Sequence, residues 1–476
     1  MTDRCWAQDP SLLAGVQMLL TAFLEIVKQW QPIFPQARTA KRAIRQALGS
    51  LICVGRRTIT RIICAIGNEQ ESWSGEYFLH SRSSWSAQRL FEPIAKEALP
   101  YCRGKLLGVV IDDTSVKKTG KRIFQAFLSR DPMSPPFHPN LRLGIRFLQL
   151  ALVIPLHRTL HAAARTVPIH FEEVSAAKKP RKGRRDYDEK MKQYKELRKT
   201  HNLPLRAVQA VGKVRNMLDI AGAAKKLLVI IGDGAFCNRR MFSLQTERTE
   251  LLVRVRRDLK LCRRSQSKNR FYDQAVFTPK QALEDEQTPW KEVRLFYGGK
   301  RRLVRFKEIP DLYWQSGAKK RPLRLVIIDG NRYRVRKTGR SKKRETGFLL
   351  TTIVQGQTRN LLQLYFDRWQ IEVNHREEKT TLGVGQAQLH NYIAVPKQPA
   401  LVVAAYSALL LASLNAFGPN RTDAYTPLPR WRANAKRPSC LDLITLLRKE
   451  LAQNPEIQRD MGIQLTFQTL ITSAAA

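Results

Sequence analysis

Tyr365, Arg368, Glu372 and Lys379 punctuate the stretch Tyr-Phe-Asp-Arg-Trp-Gln-Ile-Glu-Val-Asn-His-Arg-Glu-Glu-Lys. At about 100° per residue on a helix, the last three fall at roughly −60°, −20° and −40° from Tyr365, so all four share one narrow face. Such a face holds one carboxylate among groups that bind phosphate. Leu362, Phe366, Trp369 and Val373 form a separate apolar stripe about a quarter turn away that would anchor the helix on a core.

Two other stretches deliver acids. Leu106-Leu-Gly-Val-Val-Ile runs into Asp112-Asp113-Thr-Ser-Val-Lys117-Lys118, and Leu227-Leu-Val-Ile-Ile-Gly runs into Asp233-Gly234. A short apolar run ending in a carboxylate is the pattern of a buried strand that presents an acid at its end. Gly232 and Gly234 would let the backbone turn tightly around Asp233. Adjacent strand residues point to opposite faces, so only one of Asp112 and Asp113 can face a shared site. Lys117 and Lys118 stand where a phosphate could be held, or in a solvated loop. His375 reads as a structural residue of the helix. Three acids from two strand ends and a helix are the minimal set for two divalent ions, and carboxylates suit Mg2+. Two such ions about 3.5–4 Å apart can activate an attacking oxygen and stabilise a leaving one.

The pattern Tyr-x2-Arg-x3-Glu-x6-Lys resembles the signature of bacterial insertion-sequence transposases of the DDE class. From this composition a chance match to all four positions is roughly 1 in 100,000 per start site. The Asp112-Asp113-Thr114 and Asp233-Gly234 segments resemble that family's first and second aspartate strands. The resemblance covers about residues 106–410 and implies an α/β, ribonuclease H-like catalytic core. It implies catalytic and metal-binding roles for Asp113, Asp233 and Glu372, with Asp112 as the alternate for Asp113, holding two Mg2+ for which Mn2+ can substitute. Tyr365, Arg368 and Lys379 would bind DNA phosphates near the cut. Implied partners are double-stranded DNA, as element ends and target, and a second copy of the chain in a synaptic homodimer. Water would first cleave at the element's end, and the freed 3′-hydroxyl would attack next.

The chain has 476 residues and a formal net charge of +43, with a pI near 10.5. That excess of cations, spread along the whole length, points to a polyanionic partner, nucleic acid first. Hydrophobic content of 43% is enough for real cores, and the length suggests two to four domains. Seven cysteines are scattered without zinc spacing, so reduced thiols in a cytoplasmic, nucleoid-associated prokaryotic protein are expected. No signal peptide is expected. The apolar run 400–417 reads as a buried helix opened by Pro399 and closed by Gly418-Pro419, with no membrane contact.

In chain order, residues 1–100 form a helical, DNA-binding N-terminal region, with a helix at 10–34. A helix, Gly55 and a second helix follow in the outline of a helix-turn-helix. Arg56, Arg57, Thr58, Thr60 and Arg61 are available to a major groove, against the plainer reading of a packed helical pair. Residues 101–239 are the first part of the core, with further strands over 141–171. The stretch 178–199 is an exposed basic loop and a solvated helix, either a linker or a contact to DNA backbone. Residues 240–353 are a mostly antiparallel β insertion, with hairpins around Tyr297-Gly298-Gly299-Lys300 and Asp329-Gly330. In the family resembled, such an insertion helps grip the element's end and its displaced base. Trp290 or Trp314 could stack on that base, although a core role fits either better. Residues 354–418 complete the core with the signature helix, and 419–476 are a helical tail. Two other readings compete: a catalytically silent DNA-binding protein derived from a transposase, and another ribonuclease H-like nuclease.

Overall fold

The computed structural model describes residues 18–465 except 132, 133, 136, 158–161, 176, 178, 184, 331 and 334–338. The N-terminal region is helical: α1 (Leu19–Lys28), α2 (Ala37–Ile52), α3 (Ile59–Ala65), α4 (Ser74–Ser81) and α5 (Phe91–Ala98). Of the helix expected over 10–34, residues 10–17 lie outside the described residues, and Pro32 sits in a short 3-10 turn after α1. Gly55, at φ 72°, separates α2 from α3.

The core strands follow as β1 (Leu106–Lys117), β2 (Phe127–Arg130), β3 (Leu141–Pro155) and β4 (Ala164–Glu173). Helices α6 (Tyr187–Thr200) and α7 (Leu203–Leu218) lead into β5 (Leu227–Gly232), α8 (Arg239–Phe242) and β6 (Thr249–Arg254). Beyond them lie the pair β7 (Leu261–Arg264) and β8 (Tyr272–Phe277), then α9 (Pro279–Glu284), β9 (Lys291–Tyr297), β10 (Lys300–Leu312) and α10 (Gln315–Ala318). Next come β11 (Leu323–Ile328), β12 (Arg332–Tyr333), β13 (Lys342–Lys343) and β14 (Gly347–Thr351). The chain closes with α11 (Thr358–Asp367), α12 (Trp369–Arg376), α13 (Ala394–Phe417), α14 (Cys440–Gln453) and α15 (Pro455–Met461).

One ten-stranded sheet runs β2-β3-β1-β5-β6-β14-β11-β10-β9, with β4 also paired to β3. Strands β1, β5 and β6 are parallel; β3 and β4 are antiparallel to their neighbours. Most of the strand residues after β6 therefore extend the same sheet through β14. Gly298 and Gly299 close the β9–β10 hairpin at φ 59° and 79°, the left-handed pair that a two-residue turn needs. The hairpin expected around Asp329-Gly330 does not form: β11 pairs with β10 and β14 instead, and β12 pairs with β13. Sheet pairing on both sides of β11 outcompetes the local turn.

The sheet is covered on both faces. Leu107, Val109, Ile111, Leu228 and Ile230 belong to a core with α5, α7 and α13; Val110, Val229, Ile231 and Leu252 pack with Leu361, Leu362 and Ile371 of α11 and α12. Runs of apolar residues without alternation are what such a two-sided burial requires. Helix α13 is long and apolar enough to cross a membrane, but it runs buried through the protein. It starts at Ala394, not Pro399: Asn391 accepts from the Ala394 N–H at 2.7 Å, and Pro399 lies inside the helix. Packing on α1, α2 and β4 outweighs the lost backbone bond.

After α12 the chain is tied to the end of β1. The Lys118 ammonium donates to the carbonyls of Gly385 at 3.0 Å and Ala387 at 2.7 Å, and the Arg57 N–H donates to Gln386 at 2.7 Å. Gly385 takes φ 91°, and a Cβ there would stand 1.6 Å from Cγ1 of buried Val116. Gly385→Ala should therefore destabilise the protein by at least about 3 kcal/mol. Gly104→Ala, at φ 82° with nothing within 4 Å, should lose only about 1–2 kcal/mol. Denaturant unfolding of the two variants checks the difference.

Candidate active site

Parallel pairing sets Val110 beside Ile231, and carrying that register forward two residues brings Asp112 beside Asp233. The Asp233 side chain accepts from the Ala235 N–H at 2.8 Å, capping the turn that follows β5. Neither flanking glycine has the left-handed backbone that a tight turn was expected to need. Gly232 instead answers to crowding, since a Cβ would sit 3.0 Å from Phe236 and 3.2 Å from Ile111.

Asp112 and Asp113 point differently. Asp112 shares the sheet face of Val110, toward α12, where its Oδ2 lies 3.7 Å from His375 Nε2. Asp113 lies 3.2 Å from Arg146, which stands opposite Ser115 on β3. Burial is the first cause that raises both pKa values, with Asp233 adding to each. Asp112 is pushed up to about 6, against the opposing pull of His375 and Arg368. Arg146 opposes the rise at Asp113. Acidic charge is thus concentrated where the β1–β5 pairing stops; Asp233 follows the end of β5, whereas the expected strand end at Asp112-Asp113 is not one, because pairing with β3 carries β1 on to Lys117.

The signature helix is α11 and α12 joined at Arg368, followed by a π-helical turn over Glu377–Thr381. Arg368 donates to Glu372 at 3.2 Å and lies 5.8 Å from the Tyr365 ring centroid. Burial raises the Tyr365 pKa, with Arg368 and Arg254 opposing and Asp233 adding. Lys379 is lowered by burial and by Arg142, while Glu378, Asp112 and Asp113 pull it back. Tyr365, Arg368 and Lys379 therefore all feel the aspartates. Glu372 is held by Arg368, and among the described residues no three His, Cys, Asp or Glu side chains gather closely enough to hold one metal ion.

The expected apolar stripe is only partly the anchor. Leu362 is buried, but Trp369 is 59% exposed, and Leu361 and Ile371 are the other core contacts. Phe366 stacks on Tyr297 of β9 at 4.6 Å. Buried Gln363 exchanges two hydrogen bonds with the Phe296 backbone, both 2.9 Å, and donates to Asp367 at 3.0 Å. Edge strand β9 is thus fastened to the helix, and burial pushes the Asp367 carboxyl up to about 8. A cavity of about 1150 Å³ opens beside this junction, lined among others by Tyr297, Arg254, Tyr365, Arg368, Trp369 and Arg437.

The other DNA-facing candidates divide. Arg56 and Lys117 are exposed, and Arg61 is half-buried with its N–H accepted by Thr58, the cap of α3. Arg57 and Lys118 are buried and hydrogen-bonded to backbone carbonyls: Arg57 to Ser50 and Gly55, Lys118 to Gly385 and Ala387. Burial lowers the Lys118 pKa to about 8. Trp314 packs edge-on to Phe242, and Trp290 lies against Arg305 and Lys307. Arg142 and Arg146 were missed because nothing local marks them, and they reach the site from β3; Gln363, on the signature helix itself, gives no local sign that it bonds to β9.

Ionised Asp112 destabilises the fold. Its folded pKa near 6 lies above the ordinary 3.8, so the stability it lends is full below about pH 4 and lost as pH rises through 6. Asp112→Asn should therefore stabilise at pH 7.5, by up to roughly 3 kcal/mol, and change little at pH 4. Melting temperatures at the two pH values test this. Arg57→Ala should lower the melting temperature, whereas Arg56→Ala should leave it unchanged and weaken DNA binding; melting curves and a binding titration separate the two.

Residues 31–295 match the family described as DDE superfamily endonuclease, a span that includes Asp112, Asp113 and Asp233 and ends before the signature helix. No curated protein matches the chain.

Proposed function

The chain belongs to the DDE superfamily of endonucleases, and from that premise we propose that it is a transposase that cuts DNA at the ends of a mobile element and joins them to a target. The observation that carries the reading is the meeting of the β1 and β5 acids beneath a helix that presents Tyr365, Arg368, Glu372 and Lys379. A mixed sheet in which the pairing of parallel strands β1 and β5 stops just before Asp112-Asp113 and Asp233 supports a ribonuclease H-like core.

The donor chemistry fits Mg2+. Hard carboxylates with raised pKa values mark negative charge that a divalent cation would neutralise. Asp113, or Asp112 in its place, would hold the ions with Asp233 and Glu372. Bound there, such ions would activate the attacking oxygen and stabilise the leaving one. Arg368 restrains Glu372 in the DNA-free chain. A phosphate that takes Arg368 releases that carboxylate toward the aspartates. Lys379 and Tyr365 hold neighbouring phosphates, and the cavity beside Trp369 receives the DNA end. Water opens the first phosphodiester, the freed 3′-hydroxyl attacks the second, and two copies of the chain hold the two ends.

Excision of a marked element built from the gene's native flanking DNA tests this, using wild type and Glu372→Ala with binding measured for both. The wild type should excise, and the variant should bind but lose on the order of 10³-fold or more in cutting. That no three acid, histidine or cysteine side chains gather closely enough to hold a metal ion among the described residues favours one second reading, a silent DNA-binding protein. Binding by both proteins with cutting by neither, on flanks shown to be real ends, would establish it.

A further inference from the structure

We propose that α6 is a rigid cationic arm that grips the phosphate backbone of duplex DNA flanking the cut, on the Asp233 side of the site. The proposal rests on the nuclease reading above. Helix α6 runs for 14 residues without one buried side chain. Its apolar side chains, Tyr187, Met191, Tyr194 and Leu197, share one side of the helix and are at most partly buried, which leaves the charged side free of the core. Its ion pairs, Lys190 to Asp186 and Lys199 to Glu196, are exposed and of the weak kind.

The arm is fixed at its root. Asn202 caps α7 by accepting from Leu205 at 3.0 Å and donates to the carbonyls of Arg198 at 2.9 Å and Lys199 at 3.0 Å. Arg240 of α8, the helix that follows the Asp233 turn, donates to the Lys199 carbonyl at 3.3 Å. The base of α6 is therefore attached to the element that positions an acid of the site. Lys192, Lys195 and Lys199 stand at i, i+3 and i+7, within about 60° of one another, and all are exposed. Among the described residues, Lys192 and Lys195 form no ion pair. The stripe is about 10 Å long and faces a stretch of duplex that carries about six phosphates. A lysine row on a rigid helix recognises the backbone and no particular sequence.

The test compares the full-length wild type, the triple variant Lys192→Gln, Lys195→Gln, Lys199→Gln, and a control triple Lys28→Gln, Lys96→Gln, Lys449→Gln with the same loss of charge on exposed sites away from the arm. Affinity for a duplex that extends past the cut is measured by fluorescence anisotropy over a range of salt concentrations. The arm variant should bind about 10–100-fold more weakly near 0.1 M salt, with a log K against log salt slope shallower by about 2–3. Melting temperature should not change. Equal affinity and slope for the arm and control variants would overturn the arm. Cleavage of the same duplex is read in parallel. Cutting by wild type without an arm effect sinks the arm alone, whereas an arm effect without cutting sinks the enzymatic reading and leaves the arm standing.

Discussion

Parallel pairing of β1 with β5 is the constraint on which the rest of the structure depends. It carries the Asp112-Asp113 and Asp233 segments side by side just past the last β1–β5 pair, where burial first and Asp233 second raise the proton affinity of Asp112 and Asp113. The arrangement persists because cations stand around it. Arg146 comes from β3, His375 and Arg368 from the signature helix, and Lys379 from the turn beyond. A strongly basic chain thus contains a centre of buried carboxylates whose charge a divalent cation would neutralise.

Two ties hold the signature helix over that centre. Gln363 fastens it to β9 at the far side of the sheet, so the strands after β6 are structurally continuous with the site. Beyond the π-helical turn, Lys118 and Arg57 hold residues 385–387 against the end of β1 and the N-terminal helices. Lys118 does so through its ammonium and Arg57 through its backbone N–H. A shift in the N-terminal helices would be felt at the strand that bears Asp112 and Asp113, which couples those helices to the candidate site.

Much of this was legible in the sequence. The apolar runs that lead into Asp113 and Asp233 are local patterns that only a doubly covered sheet explains, although β1 continues beyond its acids to Lys117. The signature spacing likewise survives in the structure, because the residues at three- and four-residue steps stay neighbours through the Arg368 junction. What failed depended on distant partners. Nothing near Lys118 shows that its ammonium will meet carbonyls about 270 residues away, and Trp369 looks like an anchor until β9 is seen to cover Phe366 instead. Gly232 was read as a turn residue, whereas its close neighbours are Phe236 and Ile111. The start of α13 and the missing β11 hairpin have the same cause: tertiary pairing overrode a local signal.

The central claim is that carboxylates from β1, β5 and α12 converge on divalent metal when DNA is bound. Anomalous diffraction from crystals of the protein with Mn2+ and a cleavage-blocked DNA end tests it most directly. The account predicts manganese between the Asp112-Asp113 segment and Asp233, with Glu372 turned away from Arg368 and Arg368 on a phosphate. Manganese bound elsewhere, or Glu372 still paired with Arg368 while DNA is in place, would contradict it.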